Sequence, residues 1–271
     1  MSPLLHTMEL KLYQVDAFTD RLFGGNPAAV MPLRGELPEA LMQSIAAENN
    51  LSETAYLRPA GAAGEYHIRW FTPAAEINLC GHATLASAWV VFNKLGDTSE
   101  TLVFHSKSGP LRVRRAGDWI ALDFPSWRPE PVEVPAGIAE ALGGVKILEA
   151  HRYRDLLLLL EDEAAVRDCA PEFGALKKIC DKLIITAKGS GETDFVSRFF
   201  APGLGIDEDP VTGSAHSQLI PFWSRRLDKR QLNARQLSGR GGHLVCEQLN
   251  DERVLMKGQA VFYLEGTVYL P

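Results

Sequence analysis

Residues 69–92, RWFTPAAEINLCGHATLASAWVVF, run through a strand-like stretch, a proline-closed turn and a glycine into a segment with small and apolar residues on every side. A helix that is apolar all round is buried on all sides. The neighbouring chain is rich in strand-like runs, at 11–18, 66–71, 111–115, 119–124, 183–186, 196–200, 253–256 and 261–264. The combination predicts a curved sheet wrapped about a central helix, an α+β arrangement rather than alternating βαβ units.

The same order recurs at 198–219, RFFAPGLGIDEDPVTGSAHSQL. Arg69-Trp-Phe-Thr-Pro73 leads to Gly81, and Arg198-Phe-Phe-Ala-Pro202 leads to Gly213. The repetition predicts two pseudo-symmetric lobes of one design, and 271 residues suit two domains. Between them FPSWRPEPVEVPAG (124–137) carries four prolines and reads as an extended linker unable to join a central ladder. The expected organisation is an N-terminal lobe at 1–124, a C-terminal lobe at 130–259, and a strand at 260–271 able to return to the first lobe. A further helix is predicted over 37–49, with Pro38 in its first turn.

Composition removes several classes of function. A formal charge of −6 and no basic stripe interleaved with aromatics argue against a nucleic-acid partner. The run Arg225, Arg226, Lys229 and Arg230 reads as the solvated end of a helix. Cys80, Cys169, Cys180 and Cys246 show neither CxxC nor zinc-ligand spacing, which suits a reducing cytoplasm. The first residues, MSPLLHTMELKLYQV, lack an export signal, and Met8 is a candidate start. The longest apolar run, at 156–160, is far too short to span a membrane. No dinucleotide, P-loop, HExxH or GxSxG motif occurs, and Ser238-Gly-Arg-Gly-Gly242 reads as a hairpin connection.

The two glycine-led helix starts, Cys80-Gly81-His82 and Thr212-Gly213-Ser214, carry the chemistry. Backbone N–H groups at a helix N-terminus bind anions such as a carboxylate; a glycine serving a tight turn reads the same way. Glu53, in Asn50-Leu-Ser-Glu53-Thr at the start of a strand, is a candidate base, and equally an exposed loop glutamate. Asp207-Glu208-Asp209 crowds three acids before the second helix, where one acquires a raised pKa or simply complements the helix dipole. His82 stands beside the first anion site, able to shuttle a proton, whereas His216 reads as packing.

The blocks FGGNPAAV (23–30), IAAENNLSETAYL (45–57), FTPAAEINLCGHATLASA (71–88), DEDPVTGSAHSQLIPFW (207–223) and QLSGRGGHLVCE (236–247) together resemble the phenazine-biosynthesis PhzF-like family. The resemblance implies a diaminopimelate-epimerase-like fold and an isomerase without cofactor or metal, commonly a homodimer, acting on a small carboxylate-bearing substrate in an interlobe cleft. Carried over by motif, it implies Glu53, His82 and Asp209 as catalytic residues. It implies Asn26, Gly81, Gly213 and Ser214 as substrate-binding residues. Two rivals stay open. Related racemases place a cysteine directly before the first glycine, as Cys80 stands here, but need a second thiol where this chain has Thr212; that leaves a one-thiol epimerase or dehydratase. The other rival is a carboxylate-binding protein without turnover.

Overall fold

A computed structural model describes residues 8–270 of the chain. The chain divides into two compact units: one comprises the residues through Leu22, Pro27–Leu122 and the chain from Gln259 onward, the other Phe23–Asn26 and Asp123–Gly258.

The first unit is built from Met8–Ala17 (β1), Asn26–Pro32 (β2), Glu39–Asn49 (α1), Glu53–Pro59 (β3), Glu65–Phe71 (β4), Glu76–Ile77 (β5), Gly81–Asn93 (α2), Thr101–Ser106 (β6), Gly109–Ala116 (β7) and Trp119–Pro125 (β8), except that Asn26 at the start of β2 and the last three residues of β8 belong to the second. The second comprises Glu130–Val132 (β9), Ile138–Ala141 (α3), Ile147–Arg152 (β10), Leu156–Leu160 (β11), Glu163–Arg167 (α4), Phe173–Leu176 (α5), Leu183–Lys188 (β12), Phe195–Ala201 (β13), Ile206–Asp209 (β14), Gly213–Leu227 (α6), Gln231–Gln236 (β15), Gly242–Gln248 (β16) and Arg253–Gly258 (β17). The last strand, Ala260–Leu270 (β18), pairs antiparallel with β1 along its length. Pro271 and residues 1–7, including the stretch before Met8, lie outside the described residues.

Each unit repeats one pairing scheme. In the first, β2 and β3 are parallel, β3 and β4 antiparallel, β4 antiparallel to β5 and parallel to β6. In the second, β11 and β12 are parallel, β12 and β13 antiparallel, β13 antiparallel to β14 and parallel to β15. The sequence echo is therefore a structural one. Arg69 and Arg198 each stand on the third strand of their set. Each makes a two-pronged bond to a glutamate on the next short strand, Arg69 to Glu76 and Arg198 to Glu208. Each also lies over the phenylalanine two residues on, Phe71 or Phe200. The expected α+β content holds, but the sheets are mixed, with parallel crossovers through helices that the strand-rich sequence conceals.

The central helix α2 buries eleven of its thirteen residues, as its all-round apolar composition requires. Strand parity separates the faces of β3. Tyr56 packs into the cluster around α1, and the alternate residues of a strand point the other way, toward α2. In the second unit Leu156, Leu158 and Leu160 of β11 join a cluster with α3, α4 and α5, while Leu157 and Leu159 are buried on the opposite face. Burial on both faces is why this strand shows no alternation.

Three local differences have physical reasons. Helix α1 starts at Glu39, and Pro38 is its N-cap with ψ of 137°, one residue outside the predicted first turn. Three residues of the proline-rich linker form β9, which pairs with β10. Pro221 sits inside α6. Proline has no N–H for the carbonyl four residues back, and that carbonyl, of Ser217, instead accepts the Trp127 N–H at 2.8 Å. The proline-rich segment is thus tied to α6 at the point the helix leaves open. Arg225 and Arg226 occupy the last turn of α6, and residues 237–241 join the antiparallel pair β15–β16. No helix among the described residues is long and apolar enough to cross a membrane.

Candidate active site

Glu53 opens β3 and His82 is the second residue of α2, with 7 % and 3 % exposure. The buried position overturns the exposed-loop reading of Glu53. Odd-numbered parity puts Glu53 on the α2 face of β3, and its Oε2 lies 2.8 Å from His82 Nε2. The contact is a buried ion pair, in a place where either charge without its partner would be costly. Cys80 Sγ stands 3.5 Å from His82 Nδ1 and 4.0 Å from Nε2, close to both ring nitrogens.

Burial pulls the His82 imidazole downward, but Cys80 and Glu53 outweigh it, and the pKa lies well above the usual histidine value. Burial, reinforced by Glu53, pushes the Cys80 thiol up to about 11, with His82 opposing. A thiol with that pKa is uncharged at pH 7, so the anion that keeps His82 protonated there is Glu53. The ligand atoms of Glu53, Cys80 and His82 lie within 4.8 Å of one another. Yet 2.8 Å between Nε2 and Oε2 is a proton-sharing distance; two ligands on one tetrahedral zinc with bonds of about 2.0 Å stand about 3.3 Å apart. The group fits proton transfer better than metal binding.

The second unit carries a different constellation. Asp209 ends β14 and accepts hydrogen bonds from Asn26 Nδ2 at 2.7 Å and Thr212 Oγ1 at 2.5 Å. Asn26 also donates to the Val211 carbonyl, so its amide hydrogens are spent on holding the Asp209–Val211 segment. Gln236 donates to the Asp209 carbonyl and accepts from the Thr212 N–H. The acids at 207–209 do not crowd one another: Glu208 is bound to Arg198, Asp207 is exposed, and Asp209 has its own donors. Neither α2 nor α6 has a side-chain N-cap, and Gly81 and Gly213 are buried at their first positions. Thr212 is the N-cap of α6 as Cys80 is of α2, which makes them counterparts. Ser214 Oγ accepts a bond from Arg154. His216 is fully buried, and its Nδ1–H donates to the Thr212 carbonyl. Burial lowers its pKa to about 4, with that bond opposing, so it is a neutral packing group.

Sequence reasoning missed Gln236, Arg240 and Arg154. Arg240 donates to the carbonyls of Gly24 and Gly25, and Gly25 donates to the Gly241 carbonyl. These bonds join the FGGN and QLSGRGG blocks; their shared glycines are the signal that pointed to close backbone approach.

Mixed sheets packed about a buried helix, each helix beginning uncapped beside acids, define a diaminopimelate-epimerase-like fold. A hydroxyproline epimerase from Agrobacterium vitis shares it with a TM-score of 0.63 at 10 % identity, over 97 % of this chain and 93 % of that one. The sequence profile described as phenazine biosynthesis-like protein (PhzC-PhzF) matches residues 15–266, and the chain belongs to that family. It is 50 % identical over 264 residues to an uncharacterized isomerase of Pseudomonas aeruginosa, covering 97 % of this chain and all of that one. A crystal structure of a PhzF-family protein from Enterococcus faecalis is 49 % identical with a TM-score of 0.92, covering 97 % of this chain and 100 % of that one.

Proposed function

We propose that the chain is a cofactor-independent isomerase that moves a proton on a small carboxylate-bearing substrate, as a cytoplasmic homodimer. The observation that carries this reading is the buried Glu53–His82 pair at the uncapped start of α2. Glu53 removes a proton from a carbon next to a carboxylate or unsaturation. The C–H electrons pass into that conjugated system, and the Glu53 carboxyl, whose proton exchanges with solvent in the intermediate, delivers a proton to another carbon, so the product is an isomer of the substrate. Protonated His82 stabilises the carboxylate before transfer and the charge that develops afterwards. Asp209, oriented by Asn26 and Thr212, supplies the second acid/base group, while Gly81, Gly213 and Ser214 hold the substrate carboxylate. Both groups serve one substrate. The high Cys80 pKa speaks against the one-thiol alternative.

The test is incubation with cyclic amino and hydroxy acids in D₂O, read by mass spectrometry for deuterium at carbon. Exchange by the wild type and a loss of about 10³-fold or more in Glu53→Gln are expected. Unchanged exchange in Glu53→Gln defeats the assignment of the base. Saturable thermal stabilisation by these acids with no exchange favours the binding-protein reading instead.

A further inference from the structure

The duplication assigns a counterpart to the proposed base. Arg69 stands opposite Tyr56, and its equivalent Arg198 stands opposite Ile185. Three residues upstream are Glu53 in one unit and Lys182 in the other. Ile185 packs outward with the α3–α5 cluster, as Tyr56 packs outward against α1. Thr186, of the opposite parity, accepts a bond from Trp223 of α6. Lys182 directly precedes β12, the place that Glu53 takes at the start of β3 in its own unit. Where the first unit places an anion, the second places a cation.

That cation is not alone. Arg154 donates from Nε and Nη2 to the carboxylate of Asp155, whose side chain is fully buried, and from Nη2 to Ser214 Oγ at 2.9 Å. Its Nη1 group takes no part in these bonds. The guanidinium is stacked 4.6 Å from the Trp127 ring centre. Gln218, fully buried on α6, accepts the N–H groups of both Arg154 and Asp155 and donates to the Asp155 carbonyl. Lys182 Nζ stands 3.9 Å from Asp155 Oδ1, too far for a hydrogen bond. Two cations therefore share one carboxylate, and the arginine is held rigidly by buried partners. They border a cavity of about 420 Å³ whose lining bears five cationic side chains against two carboxylates, in a protein of net charge −6. Burial, with Arg154 beside it, pulls the Lys182 ammonium below its ordinary pKa, Asp155 and Asp181 opposing; a bound anion would relieve that penalty.

We propose that Arg154 and Lys182 form an oxyanion subsite for a second acidic group of the substrate, which makes the substrate class a dianion. The inference rests on the proposed function only through Ser214, which ties Arg154 to the start of α6. An oxyanion could equally arrive as free phosphate, and the experiment separates the two sources. Inorganic phosphate, succinate and propionate are titrated into the full chain at low ionic strength and followed by calorimetry. The wild type is expected to bind phosphate saturably. Arg154→Gln and Lys182→Met each weaken it by at least about tenfold, while the charge-preserving Arg154→Lys and Lys182→Arg retain binding and guard against misfolding. Succinate is expected to bind at least about tenfold more tightly than propionate in the wild type, a preference that Lys182→Met abolishes. Phosphate binding that is indifferent to both cation-removing variants overturns the subsite. Loss of phosphate binding without a succinate preference overturns the dianionic substrate, leaving a site for free phosphate. Glu53→Gln is expected to bind phosphate as the wild type does, so a failure of the proposed base leaves this result standing.

Discussion

His82 illustrates how burial and charge compete at a single residue. A buried imidazole ordinarily loses its proton, but Glu53 and Cys80 shift the balance the other way. The folded-state pKa therefore lies above the unfolded value, and the pair's contribution to stability is complete below about pH 6.5 and lost as pH rises through the folded pKa. His82→Gln should cost about 3–5 kcal/mol near pH 6, with the deficit shrinking on the alkaline side. Urea unfolding of both proteins across pH 6–10 checks this; a pH-independent difference would remove the charged pair. Cys80, at about 11, predicts the reverse of a reactive thiol. Its alkylation by iodoacetamide should rise about tenfold per pH unit up to pH 10, and Cys80→Ala should keep exchange activity within about tenfold. A rate plateau near neutral pH would restore the thiol mechanism.

At the scale of elements, the echo of RWFTP and RFFAP was legible because it preserves a device: an arginine clamped to a glutamate on the neighbouring short strand. Arg198 is largely buried and also donates to the Cys169 carbonyl at 2.6 Å. Glu208→Ala leaves that guanidinium without its counter-charge and should destabilise the second unit by about 3 kcal/mol, measurable by chemical denaturation. A change below about 0.5 kcal/mol, the range of ordinary surface substitutions, would mean the clamp is incidental. The central helices were also legible, because nothing but burial suits HATLASAWVVF. Strand β11 was not, since five consecutive leucines buried on two faces erase the alternation by which a strand is read. Nor was the continuation of α6 through Pro221, which depends on Trp127 taking the carbonyl that proline releases.

For the molecule as a whole, the chain's last strand is paired with its first described strand, so a segment distant in sequence completes the unit that the N-terminal half begins. Truncation before Ala260 strips β1 of that partner along its length. The expected result is a fall of more than about 10 °C in the first unfolding transition by scanning calorimetry; an unchanged thermogram would show β18 to be dispensable. The sequence by itself determined the duplicated design, the two buried helices and the glycine-led starts beside acids, because periodicity, composition and backbone permissiveness are local properties. It could name Glu53 and His82 but not distinguish a buried pair from an exposed glutamate. Only tertiary structure decided that, because burial and a 2.8 Å contact between residues 29 positions apart depend on strand parity and on where α2 docks. The same packing decided that Asp209 is held by Asn26, and that Lys182 stands where its sister unit has Glu53.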